Sequence, residues 1–365
     1  MSQRIAIVID SLAGGGAERV MLTLAQTLIA DGHRVEFITL EEDTEHQLPA
    51  GLKVHCCFGK GAGNYTGFWR LGSSAAKLGR LFAGLTEADG EFDLILSNLD
   101  KSNLLMSRLS LPNLHFVVHN SIEEELRRQR KLGPLAYMSM LRAKKALCGK
   151  QLVTVSAGIA REIIEGKRIR PAATKVIYNP FDFENLSEKA AQSAELPPGP
   201  YLIHVGRIAK QKRHDILLQA LALTQSQIPL VLLCQNTKKA LKLARRYGVE
   251  QRLILPGFQT NPYPWIREAR MLVLSSDYEG LPTVLIEALA LHTPVVSTDC
   301  PHGPNEILLG ELAANLVPRR DPKALAAAID KALAVDKVAT LPSELSHKLQ
   351  ASQVAASYLA LSSKG

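Results

Sequence analysis

The sequence predicts an α/β chain of two doubly wound domains, each a parallel sheet covered by helices on both faces. Three observations carry this expectation. Short continuous apolar runs alternate with helix-period segments along the whole chain, which is the pattern of strands buried on both faces. At 365 residues the chain exceeds the size at which one hydrophobic core usually stops growing. The alternation breaks at Leu196-Pro-Pro-Gly-Pro200, where stacked prolines forbid helix and mark an interdomain linker.

The first series opens with the apolar run Arg4 to Ile9, closed by Asp10 and Ser11. Gly14-Gly15-Gly16 follows, and then Glu18 to Ala30 with Val20, Met21, Leu24, Ala25 and Leu28 at helical spacing. Strand, glycine loop and helix in this order are the opening of a Rossmann-like unit. Val35 to Leu40, Leu94 to Ser97 and Phe116 to Val118 are further buried-strand candidates. After the linker the candidates are Tyr201 to Val205, Leu230 to Cys234, Arg252 to Leu255, Met271 to Leu274 and Pro294 to Thr298. The predicted domains are therefore residues 1–190 and 200–344, with a last helix around Leu345 to Leu361.

Composition narrows the class. The chain is 46% hydrophobic and 21% charged, as folded proteins are, and no apolar run approaches the roughly 20 residues that cross a bilayer. The N-terminal apolar stretch is too short for a secretory signal, so a cytoplasmic protein is expected. Five scattered cysteines, with Cys56 and Cys57 adjacent, argue for reduced thiols and against a disulfide framework. A net charge of +8 favours an anionic partner: nucleic acid, a phosphorylated small molecule or an anionic lipid surface. Aromatics at 5% lack the stacking signature of RNA binding, and no nucleic acid is expected.

Chemistry concentrates at strand ends. Glu279-Gly-Leu-Pro-Thr-Val-Leu-Ile-Glu287 follows the run Met271 to Ser275, placing Glu279 in a loop at the carboxyl end of a strand and Glu287 within the next helix. Pro282 suits a first helical turn, so amides near Leu281 and Thr283 face any phosphate bound there. By spacing alone, which is common by chance, a solvated or capping glutamate is the better explanation of the pair. Arg207 follows the strand ending at Val205, and Lys212 comes five residues later, as a diphosphate clamp requires: a bidentate fork and a compact charge. Surface charges around a loop that also holds Lys210 and Arg213 are the alternative. Gly15 and Gly16 let backbone amides approach an anion, or form a tight turn. The loop lacks both G-x-G-x-x-G and the P-loop lysine. His119 ends the strand Phe116 to Val118, and His302 lies in Cys300-Pro-His-Gly-Pro-Asn-Glu306 after another strand; either is also compatible with a structural role. No D-x-D or H-E-x-x-H spacing and no G-x-S-x-G elbow occurs, so no metal ligand set is assigned. Arg127, Arg128, Arg130 and Lys131, continuing to Arg142, Lys144 and Lys145, combine cations with apolar residues, the composition of a helix lying on an anionic membrane or of an ordinary helix with a solvated basic face.

The E-x7-E segment with its E-G-L-P-T opening, the G-R followed by a lysine, and the N-terminal glycine loop together resemble the retaining, GT-B-fold nucleotide-sugar glycosyltransferases of family 4, the bacterial surface-polysaccharide and lipopolysaccharide type. The resemblance implies two Rossmann-like domains facing a cleft, with the last helix crossing back onto the first. It implies that Glu279 contacts the sugar hydroxyls, Glu287 the ribose, and Arg207 and Lys212 the diphosphate. It also implies that the Gly15-Gly16 loop and His119 lie near the donor phosphates and transferred sugar, and that Gly280, Leu281 and Thr283 line the donor site. Gly257 and Phe258 stand where the base pocket is expected. The implied reaction is metal-independent hexosyl transfer from a nucleoside-diphosphate sugar, UDP-linked by family frequency, with no cofactor, to a glycan or lipid-linked acceptor. The implied location is the cytoplasm or the cytoplasmic face of the inner membrane, reached through Arg127, Arg128, Arg130 and Lys131. Two other classes stay open: a sugar phosphorylase or nucleotide-sugar epimerase on the same fold, and a non-catalytic basic protein that binds membrane or nucleic acid.

Overall fold

The computed structural model describes residues 2–13, 15–44, 48–59, 63–335 and 339–362. They form two compact units: residues 1–181 with 348–365, and residues 182–347.

The first unit runs β1 (Arg4–Ile9), α1 (Gly16–Ala30), β2 (Arg34–Thr39), β3 (Lys53–Cys56), α2 (Leu71–Asp89), β4 (Leu94–Asn98), α3 (Asp100–Met106), β5 (Leu114–Val118), α4 (Ile122–Arg130), α5 (Pro134–Lys145), β6 (Gln151–Thr154), α6 (Ala157–Gly166) and β7 (Ala173–Val176). Its seven strands are parallel in the order β3-β2-β1-β4-β5-β6-β7. Every residue of β1 is buried, because the strand is central and helices cover both its faces. Helix α1 turns Val20, Met21, Leu24, Ala25 and Leu28 inward, the face that the sequence spacing marks.

The second unit runs α7 (Phe183–Ala190), β8 (Leu202–Val205), α8 (His214–Leu223), β9 (Leu230–Leu233), α9 (Thr237–Arg246), β10 (Leu253–Gly257), α10 (Tyr263–Arg267), β11 (Met271–Leu274), α11 (Thr283–Ala290), β12 (Val295–Thr298), α12 (Pro304–Ile307), β13 (Leu316–Val317) and α13 (Pro322–Leu333). Its parallel sheet has the order β10-β9-β8-β11-β12-β13. Helices α8 and α13 pack together over one face, burying Leu217, Leu218, Leu221, Leu325 and Ile329. Each fully buried aliphatic side chain of this kind stabilises by about 2 kcal/mol. In both sheets the strand order reverses beside the first strand, between β1 and β4 and between β8 and β11. In open parallel sheets, ligands bind at the carboxyl ends of the strands flanking that reversal.

Three features differ from the sequence expectation. The units divide between Phe181 and Asp182 rather than at the proline cluster 196–200. The reason is that α7 packs on α10, and the Asn261 amide donates to Lys189 O (2.8 Å) and Gln192 Oε1 (2.9 Å). Strands β3, β6, β7 and β13 escaped the apolar-run criterion: β3 and β7 are half-exposed edge strands, and β6 and β13 are short. The last helix is two, α14 (Ser343–Leu349) and α15 (Ala351–Leu359), broken at Gln350. There the chain pairs with Phe181, whose N–H donates to Leu349 O (2.8 Å) while Ala351 N–H donates to Phe181 O (2.9 Å). Helix α15 then packs on α1. All five cysteines are free thiols, and Cys57, Cys234 and Cys300 are buried. No helix among the described residues is long and apolar enough to cross a membrane.

Candidate functional site

The second unit brings a predicted cation and carboxylate into contact. Lys212 Nζ lies 2.8 Å from Glu279 Oε1, and the Glu279 side chain is 9% exposed against 21% for Lys212. The two residues stand in the loops that follow β8 and β11, the strands flanking the reversal. Four contacts fasten those loops together. Ser275 Oγ donates to Lys212 O (2.8 Å), Asp277 N–H to Gln211 O (2.8 Å), Gln211 Nε2 to Tyr278 O (2.8 Å), and Arg213 reaches Asp277 (3.2 Å). Arg320 adds a bidentate pair to the same Asp277 carboxylate, at 2.9 Å to each oxygen, and Arg319 donates to its carbonyl (2.7 Å). Asp277 is thus the knot of the rim, holding three arginines from two loops.

Lys212 passes over Gly206. A Cβ at Gly206 would stand 3.4 Å from His204 Nε2 and 3.6 Å from Lys212 Cε, so the lysine stem packs at van der Waals distance over this glycine and the buried His204. His204 is fully buried, with Nδ1 donating to Val273 O (2.8 Å), and packs edge-on against buried His214 at 4.8 Å. Burial pushes both imidazoles down, to about 4 for His204 and about 2 for His214, so both are neutral beside the lysine.

On its other side the Glu279 loop is clasped by the loop after β12. Glu279 N–H donates to Pro301 O (2.7 Å) and His302 N–H to Glu279 O (3.0 Å). Gly303 has φ +97°, and a Cβ there would lie 2.5 Å from Pro282 Cδ and 3.0 Å from Gly280 O. The His302 loop therefore sets the height of Gly280, Leu281 and Pro282. Pro282 is the N-cap of α11 rather than a first-turn residue, with Thr283 opening the helix. Gly280 and Leu281 are buried, and Glu287 is buried within α11. Arg207 is exposed and forms no ion pair among the described residues, so the structure does not bring it onto Lys212 or Glu279. Gly257 ends the edge strand β10, followed by Phe258, 60% exposed on the same rim.

In the first unit the corresponding rim holds Asp10, Asn98 and His119, at the ends of β1, β4 and β5. The Asn98 amide nitrogen donates to Val8 O (3.2 Å) and Leu96 O (3.1 Å), which turns its Oδ1 toward His119 Nε2 at 2.9 Å. The imidazole must then carry its proton on Nε2 and leave Nδ1 as an acceptor. Burial pushes this histidine down to about 4, so it is neutral. Asp10 accepts from Ser102 N–H (2.8 Å) and Oγ (2.7 Å), yet burial pushes its carboxyl up to about 6. Gly15 caps α1 and Gly16 opens it, with the Glu18 carboxylate folded back against Gly15. Gly14 lies outside the described residues.

The basic segment divides between α4, α5 and their turn. Arg127 pairs with Glu124 at 2.7 Å, while Arg128, Arg130 and Lys131 are exposed. Lys144 is not on the surface: it is 4% exposed and held between Asp100 (2.6 Å) and Glu125 (2.5 Å). Among the described residues no three His, Cys, Asp or Glu side chains gather as a metal site.

Sequence reasoning missed Asn98, Gln211, Ser275 and Asp277, whose roles depend on loops that meet only in the fold. The one signal was positional, since Ser275 and Asp277 directly follow a strand that ends beside Glu279.

Comparison with known proteins now bears on these two rims. A family model of group 1 glycosyl transferases matches residues 199–334, and one of glycosyltransferase family 4 matches residues 14–185. An N-acetylgalactosaminyltransferase of Campylobacter jejuni, acting on a diphospho-undecaprenol-linked sugar, is 28% identical over 84% of this chain and 83% of its own length. The lipopolysaccharide 1,6-galactosyltransferase of Escherichia coli K12 is 28% identical over 48% of this chain and 50% of its own. Among solved structures, Anabaena HepE with UDP and glucose superposes with a TM-score of 0.67 at 19% identity, over 98% of this chain and 94% of that one. WaaG, a glycosyltransferase of lipopolysaccharide biosynthesis, superposes at 0.66 with 17% identity, over 98% and 95%. The two family models cover both units, and the chain belongs to the group 1, family 4 glycosyltransferases with the GT-B fold.

Proposed function

We propose that this glycosyltransferase moves a hexose-type sugar from a UDP-sugar to a glycan or lipid-linked acceptor in the assembly of lipopolysaccharide or another surface polysaccharide, with retention of anomeric configuration. The observation that carries the reading is the Lys212–Glu279 contact, a cation and a buried carboxylate held together on the strand ends beside the sheet reversal. In the reaction the acceptor oxygen bonds to the anomeric carbon, the bond from that carbon to the diphosphate breaks, and the departing oxygen takes the acceptor proton. The chain's part is electrostatic and positional. Lys212 and Arg207 neutralise the charge that develops on the diphosphate, with the open N-terminal amides of α11 behind them. Glu279 orients the sugar hydroxyls, and Glu287 is assigned to the ribose. His119, neutral with its Nδ1 lone pair free for a hydroxyl donor, is assigned to the sugar, and Phe258 to the base.

No cofactor or metal enters this scheme, since the leaving group's charge is met by side chains. The relatives' names support the pathway assignment, one of them naming a diphospho-undecaprenol acceptor and another lipopolysaccharide. An acceptor of that kind brings the enzyme to an anionic membrane surface, to which Arg127, Arg128, Arg130 and Lys131 are assigned.

The test is thermal unfolding with UDP-, GDP-, ADP- and dTDP-sugars in the presence of EDTA, because a ligand bound only by the folded chain raises its melting temperature. A shift with UDP-sugars, lost in Lys212→Ala, is expected. A shift only after divalent metal is restored would overturn metal independence, and no shift with any nucleotide would overturn the donor assignment.

A further inference from the structure

The surface around the α4–α5 turn exposes more large apolar side chains than folding uses. Leu132 is 59% exposed, Leu135 86% and Met138 62%. Leu135, Met138 and Arg142, at positions i, i+3 and i+7, lie along one face of α5, and Leu132 stands in the turn that precedes it. Arg142 donates from that face to Thr66 O, which ties the chain after Gly63 to this helix. Immediately beyond Thr66 and Gly67 stand Phe68 and Trp69, 73% and 91% exposed, packed edge to face at 5.3 Å. The chain has two tryptophans, and the other, Trp265, is 5% exposed. Two segments that each expose large apolar side chains are thus joined through the Arg142–Thr66 hydrogen bond, and exposed apolar clusters of this kind mark interaction sites.

The exposed, unpaired charge of this segment is positive. Residues 127–145 hold seven cations and no carboxylate. Two of the seven are already paired, Arg127 with Glu124 and buried Lys144 with Glu125 and Asp100, and Glu123 is held by Arg168, which leaves Arg128, Arg130, Lys131 and Lys145 as the exposed cations of the segment. Arg130 and Lys131 form no ion pair among the described residues, and they directly precede the exposed Leu132.

We propose that Phe68, Trp69, Leu132, Leu135 and Met138 insert into the interfacial layer of an anionic bilayer while Arg128, Arg130 and Lys131 hold its headgroups. The charge complementarity selects lipid: exposed aromatics beside a carboxylate-free cluster of cations suit a layer that is apolar below and negative above. This deepens the membrane assignment made above by naming the inserting side chains, and it does not depend on which sugar is transferred.

The two tryptophans make the test direct. Trp265 is already buried, so a blue shift of emission when the full chain meets vesicles reports Trp69. The expected results are a blue shift with vesicles of phosphatidylglycerol and phosphatidylcholine, none with phosphatidylcholine alone, and quenching by brominated acyl chains. Trp69→Ser, and separately Leu135→Ser with Met138→Ser, should weaken sedimentation with the anionic vesicles at least tenfold. Thermal stabilisation by the UDP-sugar should stay unchanged in Trp69→Ser, which separates this proposal from the donor reading. Emission indifferent to anionic vesicles, or vesicle binding unaltered by Trp69→Ser, would overturn it. Self-association abolished by Trp69→Ser in the absence of lipid would overturn it too, assigning the face to a second copy of the chain.

Discussion

Acidification should loosen the second unit through two histidines that the reaction never touches. His204 and His214 are 0% and 2% exposed, between β8 and α8, and neither His204 Nε2 nor either ring nitrogen of His214 has a well-formed hydrogen-bond partner. Their folded values, about 4 and about 2, lie below the ordinary 6.5. An unfolded chain therefore binds protons that the fold refuses. Stability is full above pH 6.5 and declines as pH falls below it toward the folded values. At pH 5.0, about 1.5 pH units below the unfolded value, each ring costs about 2 kcal/mol, and the pair about 4 kcal/mol. Asp10 works in the opposite direction in the first unit: its carboxyl, raised to about 6, gains a proton in the fold first and stabilises by about 1.4 kcal/mol at the same pH. The readout must therefore belong to the second unit, and Trp265 on α10 supplies it once Trp69, in the first unit, is replaced by phenylalanine. Denaturant midpoints followed by its fluorescence should fall between pH 7.5 and 5.0, and His214→Leu should remove about half of that fall. A pH-independent midpoint, or the wild-type slope in His214→Leu, would refute the argument.

Three further outcomes are expected. Lys212→Met leaves the buried Glu279 carboxylate without its partner; it should cost about 2 kcal/mol, discounted for the lysine's partial exposure, and Lys212→Met with Glu279→Gln should recover most of it in a denaturation cycle. Gly303→Ala forces a Cβ against Pro282 and Gly280 at φ +97°; it should cost about 2 kcal/mol and lower donor affinity by displacing the Glu279 loop, whereas equal affinity would detach the His302 loop from the site. Asn98→Leu frees His119 to move its proton; kcat should fall on the order of tenfold with KM for the donor little changed, and an unaltered pH profile of kcat would deny Asn98 its positioning role.

Much of the architecture was legible because the central strands are buried on both faces and so appear as unbroken apolar runs. β1, β8 and β11 carry the carboxyl-end loops, and their runs located Glu279, Lys212 and Asp10 along the chain. The edge strands β3 and β7 were illegible for the converse reason, since one side of each meets water and their residues are mixed. Pairings set by tertiary structure left no trace in spacing. Lys144 reads as one more surface cation, yet it is enclosed by Asp100, 44 residues away, and by Glu125. Asp277 reads as a loop acid, and its partners Arg213 and Arg320 come from 64 and 43 residues away. Trp69 is the reverse case, a residue type usually at least partly covered that the fold leaves outside.

The pairing of Phe181 with Gln350 has a consequence for how the protein is made. The second unit is one uninterrupted segment, whereas the first is closed by α15, which packs on α1. During synthesis the later unit can complete its core while the earlier one still lacks a helix. The unit that holds the glycine loop thus waits on residues 348–362, and a truncation before α15 should injure that unit while leaving the Lys212–Glu279 unit intact.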